Sequence, residues 1–460
     1  MFNKVLIANR GEIAIRVIRA LRELGIKSVA VYSTADKNAQ HVREADEAVC
    51  IGGPQPAASY LNMQNILSAA LLTGAEAIHP GYGFLSESPE FAQACAECHL
   101  AFIGPQAKTI SLMGNKANAR DTMRANHVPV IPGSNGPVKD SGEALQVAGE
   151  VGFPVMLKAV AGGGGKGIRK VQRAEDLPAA FAEAQEEARL NFGDGRMYLE
   201  KIISPAKHIE VQIMADKNGH VVALPERDCS MQRNQQKVIE ETPCSQISPK
   251  ERAYLQKITV KAIKAIKYEN VGTIEFLMDP DHNFYFMEMN TRIQVEHSIT
   301  EEVTQLDLVK AQIRIAAGED LPVTQKQVTI HGAAIEARIN AEDPVKNFQP
   351  QAGKIDQMAL PGGLGIRIES GVNSGDSVSP FYDSMIIKII AHAETRALAV
   401  RRLLDALNEF AIKGLTTNRD FLVALLSSAA FQDGTYLTTY IDQKFLPAYI
   451  KSQRQKGAQE

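Results

Sequence analysis

A chain of 460 residues with 50 basic and 53 acidic side chains has the bulk of about three domains, and its formal charge of -3 leaves no surplus for a nucleic-acid or anionic-membrane surface. No apolar run approaches the ~18 residues of a membrane helix, and the opening MFNKVLIANRGE returns to charge too soon for a secretion signal. The five cysteines, at 50, 95, 98, 229 and 244, form no secreted disulfide framework and point to a reducing, cytoplasmic compartment.

KVLIAN (4–9) reads as a short buried strand, IAIRVIRALRELG as a helix ending at Gly25, and KSVAVYS as the next strand. That βαβ order predicts a Rossmann-like parallel sheet. Its first turn lacks GxGxxG, which disfavours a dinucleotide site there. AEAIHPGYGFLSESPEF (75–91) reads as strand, glycine-rich loop and helix. A loop after a parallel strand usually faces a crevice, so Tyr82, Gly83 and Glu87 are candidate contacts, equally explained by a plain glycine turn. The single Cys95-x-x-Cys98 pair sits in a helical stretch and is a weak metal signal. A domain boundary falls near 112–134, where Met113-Gly114-Asn115-Lys116 opens a helix and a proline- and glycine-rich run follows.

FPVMLKAVAGGGGKGIRKVQ (153–172) places five glycines among residues 162–167 between two strand-like runs. Such a run is costly in conformational entropy. It fits a hairpin lid whose N–H groups approach phosphate. Neither the dinucleotide context nor a GxxxxGK[ST] loop is present. Lys158 is a lone charge in an apolar strand and calls for an anionic partner, for which phosphate would serve. RMYLEKIISPAKHIEVQIMAD (196–216) gives two strands, with Glu200 and Lys201 ending one and His208 starting the next. ALPERDCSMQRNQQKVIEETP (223–243), which holds Lys237, is dense in Arg, Gln and Lys and is otherwise read as a solvated loop.

The most informative stretch is FYFMEMNTRIQVEH, residues 284–297. In extended chain Glu288, Asn290, Arg292, Gln294 and Glu296 share one face. The Asp279–Asn283 run upstream is a turn signal. A turn between Asp281 and His282 sets Glu275 opposite Glu288. Like charges so opposed are destabilising unless one is protonated or a cation intervenes. Two carboxylates and the Asn290 amide suit Mg²⁺ or Mn²⁺ completed by phosphate. ITEEVTQLDLVKAQIRIAAGE then reads as amphipathic helix. Short strands and two helices follow from about 331, with Glu336, Arg338 and Asn340 in an outward row and a frayed polar tail after 445.

Taken together, KVLIANRGEIAIR, AIHPGYGFLSE, KAVAGGGGKG, EKIISPAKHIEVQ, ERDCSMQ, EMNTRIQVEH and EARINAEDP closely resemble biotin carboxylase, the ATP-grasp component of biotin-dependent carboxylases. The resemblance spans residues 4–344 and continues through FYDSMI. It implies an α/β and α+β protein in three parts. Residues 1–114 would be the N-terminal parallel-sheet domain. Residues 115–330 would be the ATP-grasp domain, its glycine-rich lid at about 131–203. Residues 331–446 would be a C-terminal mixed β/α domain, with 447–460 a frayed tail.

The resemblance also implies roles. Lys116, Lys158, Gly164, Gly165, Glu200, Lys201, Ile202, Ile203, His208 and Gln235, with Glu275 and Glu288, would hold ATP. Glu275, Glu288 and Asn290 would hold two Mg²⁺ or Mn²⁺. Lys237, Arg292 and Val295 would bind bicarbonate, Glu296 would deprotonate it, and Arg292 would stabilise the biotin enolate. Arg338 and Tyr82 would position biotin or phosphate. Asn234 and Gln235 depart from the Arg-His common in the family, which makes Gln235 a neutral contact.

The activity implied is ATP-dependent carboxylation of biotin through carboxyphosphate, the first half-reaction of acetyl-CoA carboxylase and of malonyl-CoA and fatty acid synthesis. No Ala-Met-Lys-Met biotin attachment site is seen. A separate biotin carboxyl carrier protein and carboxyltransferase subunits are therefore expected, with a homodimer. The alternatives are a subunit of a pyruvate or other acyl-CoA carboxylase, a different ATP-grasp carboxylate–amine ligase, and a catalytically silent nucleotide-binding subunit.

Overall fold

The computed structural model describes residues 1–160 and 167–457; Gly164, Gly165 and the tip of the expected flap lie outside the described residues. Two compact units form, one from Met1–Gly114, Lys207–Glu275 and Met289–Glu460, the other from Asn115–Ala206 and Phe276–Glu288.

The first unit begins with the expected parallel sheet, ordered Glu47–Gly52, Lys27–Ser33, Lys4–Ile7, Ala77–His79, Ala101–Phe102. Val5, Leu6 and Ile7 are fully buried, as a strand covered on both faces requires. Helix Gly11–Glu23 lays Ala14, Val17, Ile18 and Leu21 on the sheet. Asn9, just past the first strand, donates to the carbonyls of Pro80 and Tyr82 at 2.8 and 2.7 Å. Gly81 between them has φ +62°, and a Cβ there would come within 2.9 Å of the Asn9 amide. Only glycine permits that approach, and it aims the Tyr82 loop.

The larger sheet runs Phe284–Asn290, Asn270–Met278, Lys207–Ala215, Val221–Arg233, Gln236–Thr242, Ala333–Asn340, Met385–Ala393, Ile366–Ser370. From Lys207–Ala215 onward it is antiparallel. Residues 223–243 are thus not a solvated loop. They make two long strands, with polar side chains paired to one another rather than to water. The hairpin between these strands turns through Asn234 and Gln235, both left-handed at φ 47° and 64°, the mirror-image turn that suits strand twist. Arg233 lies over the Phe348 ring at 4.0 Å, and the Asn234 N–H donates to Asp442 at 3.0 Å.

The tail departs from expectation. Leu446–Gly457 is helical rather than frayed. Leu446 and Tyr449, three apart on one face, cover the C-terminal core; Tyr449 is buried with its ring 5.3 Å from Phe421.

The second unit packs helices Ser141–Val151 and Leu177–Phe192 on an antiparallel sheet of Ile168–Val171, Val155–Ala159 and Met197–Lys201. Its hairpin turn differs from the expected one. Asp279 N–H donates to the Asn283 carbonyl at 3.1 Å, His282 N–H donates to the Asp279 carbonyl at 3.0 Å, and His282 is left-handed. The turn therefore takes three residues centred on Asp281. That is not the register that sets Glu275 directly opposite Glu288.

Candidate active site

Lys237 is the second residue of Gln236–Thr242, and its ammonium has three carboxylate partners. Nζ lies 2.5 Å from Glu210, 3.0 Å from Glu275 and 2.6 Å from Glu296. Burial alone would lower the ammonium pKa, but these carboxylates raise it well above its ordinary value, so it stays charged. Glu210 comes from Lys207–Ala215, a strand buried at every position. It is held from the other side by the fully buried Arg227, which also donates to Gln212 and Thr300 at 2.9 Å and to Gln294 at 2.6 Å. A guanidinium can be buried at this depth only because its N–H groups are so placed.

The row expected along 288–296 extends only as far as Asn290, where the strand stops. The chain bends, and Glu296 becomes the residue before helix His297–Thr304. The polar groups still converge. Asn290 and Gln294 both donate to Glu275 Oε1 at 2.8 Å, and Arg292 donates to Asn290 Oδ1 at 3.1 Å. Arg292 is also fixed by Glu87 at 2.9 Å. His208 Nε2 lies 3.1 Å from Glu275, and His208 Nδ1 lies 3.0 Å from the Gln232 amide. His208, Glu210 and Glu275 offer ligand atoms within 4.8 Å of one another, a grouping that could hold a cation.

Glu296 is held at both of its oxygens. One oxygen takes Lys237 and the other takes Arg338 at 2.9 Å. Burial raises its pKa, yet Lys237, Arg338 and Arg227 hold it well below the usual carboxylate range. Glu275 is depressed likewise, burial being outweighed by Lys237 and His208. Glu240 goes the other way. Burial, and then the neighbouring Glu336 and Glu296, push it up to about 8 against the pull of Arg338. Tyr82 donates its hydroxyl to Glu12, and burial followed by that carboxylate raises the phenol well above its ordinary value.

The second unit holds the remaining candidates apart from Gln235, which belongs to the first. Lys158 finds its anionic partner in Glu200, 2.5 Å away across the neighbouring strand, with no phosphate needed to balance it. Lys116, at the start of a helix capped by Asn115, stands 3.6 Å from Glu288. Lys201 donates to the carbonyls of Gly152 and Phe153, and the Lys201 and Ile202 N–H groups bond Pro132 and Pro154. Gln235 is exposed at its turn, and Ile203 is partly buried.

Sequence reasoning missed Glu210, Arg227 and Glu240. The signal was available: Glu210 and Gln212 are polar residues in the apolar run HIEVQIMA, the anomaly that drew notice at Lys158.

The sequence matches the family model for the N-terminal domain of biotin carboxylase at residues 1–110, that for the ATP-binding domain of the carbamoyl-phosphate synthase L chain at 115–324, and that for the C-terminal domain of biotin carboxylase at 336–443. It is 49% identical to biotin carboxylase 1 of Bacillus subtilis over 96% of this chain and 98% of that protein. It is 50% identical to a pyruvate carboxylase subunit of Methanothermobacter thermautotrophicus over 96% and 90%. A crystal structure of the biotin carboxylase domain dimer of Hydrogenobacter thermophilus 2-oxoglutarate carboxylase, in complex with MgADP, ADP and bicarbonate, superposes with a TM-score of 0.90 at 48% identity, covering 96% of this chain and 98% of that one. With near-half identity along almost the whole length, the chain belongs to the biotin carboxylase family.

Proposed function

We propose that this chain carboxylates biotin, presented by a separate biotin carboxyl carrier protein, at the expense of ATP and bicarbonate. What carries the reading is Glu296, a buried base held ionised between Lys237 and Arg338. Bicarbonate and ATP are both anions, so their reaction needs fixed cations and a base within proton reach.

Bicarbonate enters against Lys237, Arg292 and the Val295 backbone. As it draws Lys237 toward itself, Glu296 loses part of the field that depresses its pKa and becomes a stronger base. It takes the bicarbonate proton, and the bicarbonate oxygen attacks the terminal phosphoryl group of ATP, releasing ADP. Carboxyphosphate breaks to CO₂ and phosphate. The phosphate accepts the biotin N1′ proton, Arg292 steadies the enolate, N1′ attacks the CO₂ to give carboxybiotin, and Arg338 and Tyr82 orient the ring.

Lys116, Lys158, Gly164, Gly165, Glu200–Ile203, His208 and Gln235 hold the nucleotide in this reading. Glu275, Glu288 and Asn290 would hold Mg²⁺ or Mn²⁺. The Glu288 carboxylate, 37% exposed and 3.6 Å from Lys116, has oxygens to offer. The metal charge, when bound, neutralises the triphosphate.

Acetyl-CoA carboxylase is the owner we favour, supplying malonyl-CoA for fatty acid synthesis in a reducing cytoplasm that suits five free cysteines. Near-equal identity to a component of pyruvate carboxylase supports that enzyme as the second reading. Reconstitution with each carrier and transferase pair separates them by which acceptor gains the carboxyl group. The dimer in the 2-oxoglutarate carboxylase structure supports a homodimer here. The central test is phosphate release from Mg-ATP with bicarbonate. It should rise on adding free biotin; no response to biotin would point instead to another ATP-grasp ligase.

A further inference from the structure

Lys388 sits in the middle of Met385–Ala393, an apolar strand, with its side chain fully buried. Its cross-strand neighbours are Arg338 and Glu369. An ammonium at that depth costs several kcal/mol unless each proton is placed. All three are. Nζ donates to the Val295 carbonyl at 2.5 Å and to Ser298 Oγ at 3.1 Å, and stands 3.5 Å from Glu12 Oε1. Ser298 Oγ in turn donates to Glu336 at 2.9 Å.

Two of these partners reach the proposed site. The Val295 carbonyl and the Glu296 N–H belong to one planar peptide, so gripping the carbonyl orients the backbone of Glu296. Glu12 Oε1, the oxygen facing Lys388, is also the acceptor of the Tyr82 hydroxyl. A lysine serving only to balance charge would turn to Glu12 and Glu336; this one gives its shortest bond to the main chain between Arg292 and Glu296.

We infer that Lys388, paired with Glu12, is a positioning residue that fixes the Val295–Glu296 peptide and, through Glu12, the Tyr82 hydroxyl. One buried ion pair thereby sets both the bicarbonate end and the biotin end of the site. The ligand identities rest on the proposed reaction; the geometry does not.

The test is Lys388→Met in the full chain, a change that keeps length and removes the ammonium. Backbone hydrogen exchange across 292–298 should quicken at least about tenfold. The bicarbonate KM should rise and kcat fall, together on the order of 10²-fold in kcat/KM, while the ATP KM stays within about twofold. Glu12→Gln, which leaves Lys388 on Val295 and Ser298, should raise the biotin KM alone. Unchanged exchange and bicarbonate KM in folded Lys388→Met overturn the inference. Should that variant not fold, an unchanged biotin KM in Glu12→Gln overturns it. A wild-type protein deaf to biotin sinks the reaction instead, and the exchange measurement still judges Lys388.

Discussion

The charged groups of the two units are built on different terms. In the first unit Arg227, Glu210, Glu275 and Glu296 are buried, Lys237 and Arg338 are partly buried, and they hold one another, each with two or more partners. In the second, Lys116 and Glu288 are 66% and 37% exposed, and Lys158 is 27% exposed beside Glu200. A buried, mutually satisfied set is fixed before any ligand arrives, which is what electrostatic stabilisation of a reacting anion demands. A half-wet pair such as Lys116–Glu288 contributes little to stability and can exchange partners cheaply. Geometry is stored in one unit and adaptability in the other.

The sharpest way to break that contrast is Glu296→Gln. Bicarbonate-dependent phosphate release should fall by roughly 10²–10⁴-fold, with ATP affinity by calorimetry unaltered. Normal turnover would remove Glu296 from its role. Next comes Arg227→Met, which takes from the buried Glu210 one of its two cations and from Gln212 and Gln294 their donor. Thermal unfolding should show a loss of about 3–5 kcal/mol.

A smaller effect concerns acid. His41 is fully buried, and burial lowers its pKa from 6.5 to about 4, against the pull of Asp36. Below pH 6.5 the unfolded chain takes up a proton that the folded chain refuses. Stability is therefore full above that pH and declines as pH falls toward 4, by about 3 kcal/mol at ~1.4 kcal/mol per pH unit. His41→Gln should flatten that slope in unfolding measured against pH. Smallest in stability is Lys158→Met, which takes the cation from the buried Glu200, at about 1–3 kcal/mol. Its consequence should appear in the ATP KM, and an unmoved KM would take Lys158 out of the nucleotide site.

Much of this was legible in the sequence. The βαβ opening and the strands of the 196–216 run follow from periodicity. Alternation from Phe284 to Asn290 follows likewise, but beyond Asn290 the rule of two fails, because the chain bends to cap a helix and Glu296 arrives by a turn. The three-residue turn at Pro280–His282 escaped because His282 takes a left-handed conformation that pattern alone does not announce. Lys388, Glu12 and Arg227 were invisible for another reason: each is one charge whose partners lie tens to hundreds of residues away. The helix at Leu446–Gly457 was hidden by its polar majority, since two apolar residues suffice to dock it.

The hairpin that presents Lys237 is pinned at its tip by Asp442 and Phe348, next to the terminal helix. Proteolytic trimming of the chain upstream of residue 442 would therefore remove a tether on the reactive ammonium together with the residues that cover the C-terminal core. A clipped preparation should lose both helix content and chemistry.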